Sequence, residues 1–445
     1  MKERLNQNKI DYVLFHLQHH FEVESFTNFL CFEDVPKKNN GPLIVFPLSD
    51  QPIAKTFFIE ETAVLFPISD EKVFYTFDTN GNLIFKHDLL KSAFYLLSGY
   101  QEFLPYKGDH LGRFTYSESI QKELNIAANP LVNVYFEIII NAVHEFCERH
   151  KISFKKKSFW PENKFGLLLT HDVDRVDKWT FMEIKRRLKM LIRSGFTKYW
   201  SYLLEALSKF KSGENPYWNF DWMKSLEKRL GFNSIWFFLP QGHKQIDAYY
   251  SFDEPRIQKL ARLFQKNGDE IALHGTFNSR DNKGIMQENL DQVKELSGAE
   301  ILASRQHWLS FKYPETLQIL EKLDVKYDSS WGFAESYGWR NSYCLPFHPY
   351  DLENDRMMNI WELPLNAMDV SFFQYLGLSN QQVQNAFKEM IATCKKYNGL
   401  FVLLWHNSFF DETIYPGLTK LYEEILQDIK GSDPFSVLPA NIFLN

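Results

Sequence analysis

From Phe165 onward, short apolar runs alternate with amphipathic stretches of helical period, and this alternation constrains the fold more than any other feature of the sequence. Strands that alternate with helices form a parallel sheet whose two faces are both covered. Seven such units in roughly 285 residues favour a closed or nearly closed β/α barrel over an open sheet. The predicted strands are Gly166–Asp172, Phe232–Pro240, Asp269–Gly275, Ala299–Gln306, Lys326–Ser330, Asn359–Leu365 and Gly399–Asn407.

The first 155 residues have a different pattern, which is typical of a smaller α/β (α+β) domain. An Asn80-Gly81 pair between two apolar runs predicts a β-hairpin, and a helical period follows it. A basic, Pro-containing segment comes after a helix-like stretch that ends near His150, which favours a boundary there. We therefore predict an N-terminal accessory domain over residues 1–155 and a barrel over 156–445. The alternative is that this segment is a solvated loop within one domain.

Composition excludes several classes of protein. The net charge of −6 argues against a binder of nucleic acid, because such binders carry basic patches. Four cysteines in 445 residues exclude a disulfide framework, and the absence of a CxxC pair argues against a Cys-type zinc site. No apolar run is long enough for a signal peptide or a transmembrane helix, so we expect a cytoplasmic location. The basic stretch Phe181–Leu207 could be a membrane-surface helix or a solvated barrel helix.

Ionisable side chains follow the ends of several predicted strands. In a β/α barrel the carboxyl ends of all strands face one rim, where active sites are built. Residues that are distant in sequence should therefore converge in space. They are Asp172, Asp174, His274, Arg305, His307, Asp328 and His406.

Aspartate and histidine side chains at one rim suit a divalent metal ion of the zinc type. Imidazole and carboxylate are ligands of zinc, and a catalytic site leaves positions open for water and substrate. Such a metal lowers the pKa of water and polarises a carbonyl group. A second carboxylate can then act as a base, and a histidine held by a carboxylate can act as an acid.

The order of these residues resembles the polysaccharide deacetylases, which are NodB-homology carbohydrate esterases, over roughly Phe165 to the carboxyl terminus. The resemblance implies a distorted (β/α)7 barrel of the polysaccharide deacetylase type. By position in the first motif, it implies that Asp172 is the catalytic base and that Asp174 binds the metal. The second motif of the family supplies two metal-binding histidines, but here His274 is followed by Asn278 at the second position.

The remaining motifs are also present in altered form. Arg305 matches an Arg-x-Pro motif in which His307 replaces the proline, and the resemblance implies that Arg305 holds the base. The stretch Asp328–Trp331 matches an Asp-Ser-Trp motif, and a Leu-x-x-His motif makes His406 the catalytic acid. We predict that His307 replaces the missing ligand, which gives an Asp174–His274–His307 metal site; Asn278 could instead be a weak oxygen ligand.

The segment after the fifth predicted strand is rich in aromatic and polar residues. Loops over a barrel rim commonly carry specificity, so Trp331 and Tyr337 could stack on sugar rings. Arg340, together with Asp328 and Asn278, could bind the polar groups of the substrate. The alternative is that the loop packs its aromatic side chains on the barrel.

The variant motifs resemble a bacterial subgroup whose N-terminal domain has an unknown function and ends in a signature matched here by Phe94–Glu102 and Gly112–Phe114. The resemblance implies an association with surface-polysaccharide synthesis. It predicts a metal-dependent hydrolase, with zinc as the expected metal, that removes N- or O-acetyl groups from a carbohydrate. Two alternatives remain: an inactive barrel that binds sugar or assists polysaccharide assembly, and a hydrolase of a cyclic amide or ureide. The sequence does not predict an oligomeric state.

Overall fold

The computed structural model describes residues 3–32, 41–54, 57–181, 183–185, 214–243 and 246–438. Most of the basic stretch Phe181–Leu207, for which a membrane-surface helix and a solvated barrel helix are the alternatives, lies outside these residues. Within the described ranges, no helix is both long enough and apolar enough to cross a membrane.

The helices have the periodicity and the end residues that the sequence leads one to expect. Asp88 begins one of them by accepting a hydrogen bond from the backbone N–H of Lys91, and Gly298 ends another in the left-handed conformation. The α-helices are Gln7–Leu17, Leu89–Leu97, Tyr100–Phe103, Ile120–Glu123, Leu131–His150, Phe220–Leu230, Pro255–Lys266, Lys283–Ser297, Glu315–Lys322, Asn380–Tyr397 and Leu418–Gly431.

The strands are short in the N-terminal part of the chain and longer after residue 165. In chain order they are β1 (Phe21–Glu22), β2 (Leu30–Cys31), β3 (Ile44–Val45), β4 (Phe58–Ile59), β5 (Thr62–Ala63), β6 (Tyr75–Phe77), β7 (Leu83–Phe85), β8 (Lys155–Lys156), β9 (Gly166–Val173), β10 (Ser234–Phe238), β11 (Glu270–Gly275), β12 (Ala303–Gln306), β13 (Tyr327–Asp328), β14 (Tyr350–Asp351), β15 (Arg356–Met357), β16 (Trp361–Glu362), β17 (Ala367–Met368), β18 (Leu400–Leu404) and β19 (Phe435–Ser436).

The chain forms two compact units, and each is assembled from three stretches of sequence. The first unit comprises Met1–Gly166, Leu309–Asn366 and Glu389–Phe401. The second unit comprises Leu167–Trp308, Ala367–Lys388 and Val402–Asn445. The predicted division at residues 155 and 156 stays a prediction.

The second unit is built on a sheet with the strand order β12-β11-β10-β9-β18-β17. Strands β12 to β9 run parallel to their neighbours, and β17 runs parallel to β18. Every residue of β9, β10 and β18 is buried, as expected for strands that are covered on both faces. The register places Asp172 opposite Phe237 and His274 opposite Arg305.

The first unit contains a four-stranded sheet with the order β2-β3-β7-β6. Strands β6 and β7 are antiparallel, with Tyr75 opposite Phe85, and Gly81 in the turn has a φ of 80°. The hairpin predicted from the Asn80-Gly81 pair is therefore confirmed. The helix Leu89–Leu97 that follows is buried along its whole length and forms the core of this unit.

All seven strands predicted after Phe165 are present, in the form of β9, β10, β11, β12, β13, β16 and β18. The predicted fold class, an α/β barrel type of parallel strands and helices with a smaller N-terminal α/β domain, is confirmed. What matters for the site is that the parallel strands of the second unit bring their carboxyl ends to one edge.

Candidate metal centre

Asp172 and Asp174 lie at the carboxyl end of β9. Because alternate residues of a strand point to the same face, both carboxylates face one side. His171, which precedes Asp172, points to the other side, where its Nε2 lies 2.7 Å from Glu227 Oε1 and its Nδ1 lies 2.7 Å from the carbonyl oxygen of Trp405. The buried His171–Glu227 pair belongs to the core, which leaves the two aspartates for the site.

Asp174, His274 and His307 lie together at this edge. One potential ligand atom from each lies within 4.8 Å of the others. Asp174 Oδ1 is 3.2 Å from His274 Nε2, and Asp174 Oδ2 is 3.8 Å from His307 Nε2. Both histidines are buried, whereas the Asp174 side chain is 22% exposed, so the group is open to solvent on the aspartate side.

The hydrogen bonds of the two histidines define which nitrogen is free. His274 Nδ1 lies 2.9 Å from the carbonyl oxygen of Arg305, which can only accept, so we assign the proton to Nδ1. His307 Nδ1 likewise lies 3.0 Å from the Asp247 carboxylate. In the neutral imidazoles the Nε2 lone pairs of His274 and His307 therefore face Asp174.

Lone pairs that face a carboxylate need a cation between them or an added proton. Two imidazole nitrogens and one carboxylate oxygen are the donors that zinc prefers, and three protein ligands leave positions open, as in catalytic zinc sites. Asp247 orients His307 from behind, as carboxylates commonly orient metal-bound histidines. The residues present therefore fit a divalent metal ion, and Asp174, His274 and His307 would hold it.

Electrostatics favours the same arrangement. Burial raises the pKa of Asp174, but the neighbouring imidazoles of His307, His274 and His406 outweigh burial and hold that pKa well below its usual range. Burial lowers the pKa of His274, whereas the Asp172 and Asp174 carboxylates outweigh burial and raise it. The cluster is thus an ionised carboxylate among imidazoles that compete for a positive charge.

Asp172 is bound by Arg305 through one carboxylate oxygen and faces the cluster with the other. Arg305 Nη1 donates to Asp172 Oδ1 at 2.9 Å and to Thr170 Oγ1 at 3.0 Å. The Arg305 guanidinium is buried and lies over the ring of Phe237, 4.3 Å from its centroid. The second oxygen of Asp172 remains 3.4 Å from His274 Nε2, so it faces the site.

His406 follows β18 and is held by Asp369, which follows β17. His406 Nδ1 donates to Asp369 Oδ1 at 2.7 Å, and its backbone N–H donates to the other oxygen at 2.6 Å. Its Nε2 lies 3.7 Å from Asp174 Oδ2 and 4.0 Å from Asp172 Oδ2. Burial lowers the pKa of His406, but Asp369, followed by Asp174 and Asp172, outweighs burial and raises it to about 9.

The other predicted site residues occupy different surroundings. Asn278 is exposed on the short 3₁₀ turn Phe277–Ser279. In the first unit, Trp331 and Arg340 are buried: Arg340 forms a bidentate pair with Glu102 at 2.8 and 2.6 Å, and Trp331 Nε1 donates to Glu102 at 3.1 Å.

Asp328 and Tyr337 also belong to the first unit. Asp328 is buried and accepts a hydrogen bond from the Ser330 backbone, and Tyr337 is half-buried. The substrate-binding roles predicted for these residues, as for Trp331, Arg340 and Asn278, stay predictions.

Sequence reasoning missed Asp247. It lies in the segment after β10, and besides His307 it accepts hydrogen bonds from the backbone N–H groups of Phe277 (3.0 Å) and His243 (2.7 Å). Burial raises the pKa of Asp247, and the hydrogen bond and charge of His307 outweigh burial and lower it. The sequence offers no motif that would have identified Asp247. In the structure, a Cβ at Gly242 would collide with the Asp247 carboxylate, which accounts for the glycine at that position.

Comparisons with known proteins found a matching family model and similar solved structures. A family of unknown function (DUF7033) matches residues 2–148. A comparison with curated protein sequences found no match. Among solved structures, the chain is similar to a "putative polysaccharide deacetylase" from Mycobacterium smegmatis, with 16% identity over 64% of this chain and 90% of that chain and a TM-score of 0.42.

Two further structures are similar to a comparable extent. A "probable polysaccharide deacetylase" from Pseudomonas aeruginosa PAO1 is 14% identical over 64% of this chain and 91% of that chain, with a TM-score of 0.43. Puue allantoinase is 14% identical over 65% of this chain and 92% of that chain, with a TM-score of 0.42.

Proposed function

We propose that this protein is a metal-dependent hydrolase that removes N- or O-acetyl groups from a carbohydrate, with zinc as the metal. One observation carries the proposal: a three-ligand cluster of Asp174, His274 and His307 lies beside a separate carboxylate, Asp172, and a separate imidazole, His406. Hydrolysis of an acetyl group by such a site needs those three functions, namely a metal, a base and an acid.

Each protein group has a role that its contacts support. A metal ion bound by the cluster would polarise the acetyl carbonyl and lower the pKa of the attacking water. Asp172 accepts the proton of that water through the oxygen that faces the site. Arg305 fixes the other oxygen of Asp172 and so sets the direction from which the base acts.

His406 protonates the leaving amine or alkoxide. Asp369 accepts the Nδ1 proton, which leaves Nε2 as the atom that faces the cluster. The Asp369 carboxylate outweighs burial and raises the pKa of His406, which favours a proton on Nε2. The fixed Asp369–His406 pair therefore supplies an acid at a defined place.

Release of acetate from acetylated chitooligosaccharides and from acetylated xylan tests the proposal. Wild-type protein loaded with zinc should release acetate, and a chelator should abolish release until zinc is added back. Asp172→Asn should lower the rate by at least 100-fold, because it removes the base. Asp221→Asn, which changes an exposed aspartate on the helix Phe220–Leu230, is the matched control and should have the wild-type rate.

The second candidate is a barrel that binds sugar without catalysis, and the loss of the second histidine of the family motif at Asn278 favours it. Zinc bound at one ion per chain together with no acetate release across both substrates would contradict the hydrolase and support this alternative. Acetate release that chelation and Asp172→Asn leave unchanged would contradict the assigned site instead.

A further inference from the structure

A cavity of about 350 Å³ lies in the first unit, within the N-terminal region that carries the Phe94–Glu102 and Gly112–Phe114 signature. A cavity of this volume is in the range of small-molecule sites. Its lining comes from residues 95–123 alone. The site is therefore complete within the N-terminal part of the chain and shares no residue with the metal centre.

The walls of the cavity are fixed by hydrogen bonds that need no ligand. Glu118 accepts from the backbone N–H groups of Lys107 (2.7 Å) and Gly108 (3.0 Å), which holds the loop over the cavity. Gln101 accepts from the backbone of Ile120 at 2.9 Å and donates to Gln121 at 2.8 Å. A preformed cavity loses little conformational entropy when it binds a ligand.

Aromatic side chains form much of the lining. Tyr95 and Phe114 are buried, whereas Tyr106 is 37% exposed at the rim and packs edge-to-face on Phe114 with a centroid distance of 5.3 Å. Aromatic faces bind the apolar faces of ring-shaped ligands and attract ammonium groups.

Tyr95, which is 7% exposed, belongs to the lining. Burial, followed by the charges of Tyr100 and Glu123, raises the pKa of Tyr95 to about 12, so the hydroxyl keeps its proton at neutral pH. A ligand hydroxyl within reach of this phenol could accept its proton in a hydrogen bond.

The charge of the lining selects the ligand further. The lining residues include Glu118 and Glu123 and no lysine, arginine or histidine. Phosphate and carboxylate ligands need cationic partners, which this lining does not offer. A ligand with an apolar ring face, hydroxyl groups and a positive charge matches all three features.

We propose that this cavity binds an amino sugar, with a ring face on Tyr106 and Phe114, a hydroxyl group on Tyr95 and the ammonium group at Glu118 and Glu123. Binding stands on the cavity alone; only the identification of this ligand with a product of N-deacetylation rests on the proposed function. The cavity would then hold a glycan whose acetyl groups have been removed.

Calorimetric titration of the chelator-treated full chain tests the proposal. The probes are a tetramer of β-1,4-linked glucosamine and its fully N-acetylated counterpart. The glucosamine tetramer should bind at least tenfold more tightly, and Glu123→Gln should reduce that preference to less than threefold. Tyr95→Phe should weaken binding about fivefold through the lost hydrogen bond, and Tyr106→Ala should weaken it at least tenfold.

Two controls locate the bound sugar. Phe103→Ala changes a side chain that is 41% exposed and does not line the cavity, and it should bind as wild type. Asp172→Asn should also bind as wild type, because it alters only the metal centre. Thermal melting of every variant shows whether it is folded. If Tyr95→Phe does not fold, Glu123→Gln, which changes an exposed residue, still tests the proposal.

The proposal is overturned if neither tetramer binds at millimolar concentration, if the two bind equally, or if binding responds to Asp172→Asn and not to Tyr106→Ala. These results are independent of acetate release. A protein that binds the glucosamine tetramer through Tyr106 but releases no acetate would refute the hydrolase and leave this site standing. A protein that releases acetate but does not bind the tetramer would refute this site and leave the hydrolase standing.

Discussion

Replacement of Asp247 by asparagine tests whether His307 is a metal ligand. Asp247 Oδ1 accepts from His307 Nδ1 at 3.0 Å and from the Phe277 backbone at 3.0 Å, while Oδ2 accepts from the His243 backbone at 2.7 Å. An asparagine has one oxygen for these three donors, so its amide group must face either His307 or the His243 N–H. In the first orientation His307 loses its acceptor, and in the second it keeps a neutral oxygen in place of the charged carboxylate.

The expected loss of metal affinity follows from the position of Asp247 behind the ligand. Loss of a hydrogen-bonded carboxylate that orients a metal-binding histidine weakens metal affinity by about 10- to 100-fold, which corresponds to about 1.4–2.8 kcal/mol. Asp247 and His307 are both buried, so water does not readily replace the lost contact. His307→Ala, which removes the ligand itself, should weaken zinc binding by more than Asp247→Asn does.

Competition between the protein and a chelator of known zinc affinity measures these losses. The decisive comparison is a double-mutant cycle, because two residues that act through one ligand are not additive. In the His307→Ala background, Asp247→Asn should cause no further loss of affinity. Glu254→Gln, which changes a carboxylate on another part of the second unit, is the control and should bind zinc as wild type.

Two outcomes would refute this reasoning. If His307→Ala keeps the zinc affinity of the wild type within twofold, His307 is not a ligand, and the metal, if bound, has other partners. If Asp247→Asn weakens zinc binding equally in both backgrounds, Asp247 acts through the fold and not through His307. A fall in melting temperature with unchanged zinc affinity would lead to the same conclusion.

Three further predictions concern stability, measured by urea denaturation. Glu227→Ala should lower the free energy of unfolding by about 3–5 kcal/mol, because it removes a buried carboxylate and leaves its buried partners without an acceptor. A loss below 1 kcal/mol would contradict this. Gly99→Ala should destabilise, because Gly99 has a φ of 65° and a Cβ would collide with Trp331, whereas Gly431→Ala, with open space around it, should not. Burial lowers the pKa of His20 to about 3. The contribution of neutral His20 to the free energy of unfolding is therefore full above about pH 6.5 and is lost as the pH falls toward 3. His20→Gln should reduce the slope of the free energy of unfolding against pH in this window by up to about 1.4 kcal/mol per pH unit.

The convergence of the metal-binding residues could be predicted because it follows from strand order. His274 and His307 stand at the ends of neighbouring parallel strands, and the register that places His274 opposite Arg305 brings His307 two residues further on to the same edge. The two aspartates follow from the alternation of side chains along β9. No such rule locates Asp247, since its position depends on how the segment after β10 folds back over the strand ends.

The surroundings of Trp331 and Arg340 could not be predicted for a different reason. An indole N–H and a guanidinium group suit a sugar hydroxyl as well as a buried carboxylate, so their residue types leave both possibilities open. The first unit supplies a carboxylate, Glu102, from a helix more than two hundred residues earlier in the sequence. Such a pairing becomes visible only when the chain is folded.

His307 and His406 make similar hydrogen bonds. Their roles are distinguished by how close each lies to the other potential ligand atoms. Each donates its Nδ1 proton to a buried aspartate, and each directs Nε2 toward Asp174, at 3.8 and 3.7 Å. In the described part of the chain, however, only Asp174, His274 and His307 bring their ligand atoms within 4.8 Å of one another, and His406 is not in that group.

His406 is therefore placed to donate a proton beside the cluster and not to complete it. His406→Asn should keep zinc affinity within about twofold of the wild type and lower kcat by about 10²–10⁴-fold, the range for loss of a general acid. His307→Ala should instead weaken zinc affinity, and its activity should recover in part when the zinc concentration is raised above the weakened Kd. If His406→Asn releases zinc, or if excess zinc rescues it, His406 is a ligand and the roles of the two histidines must be exchanged.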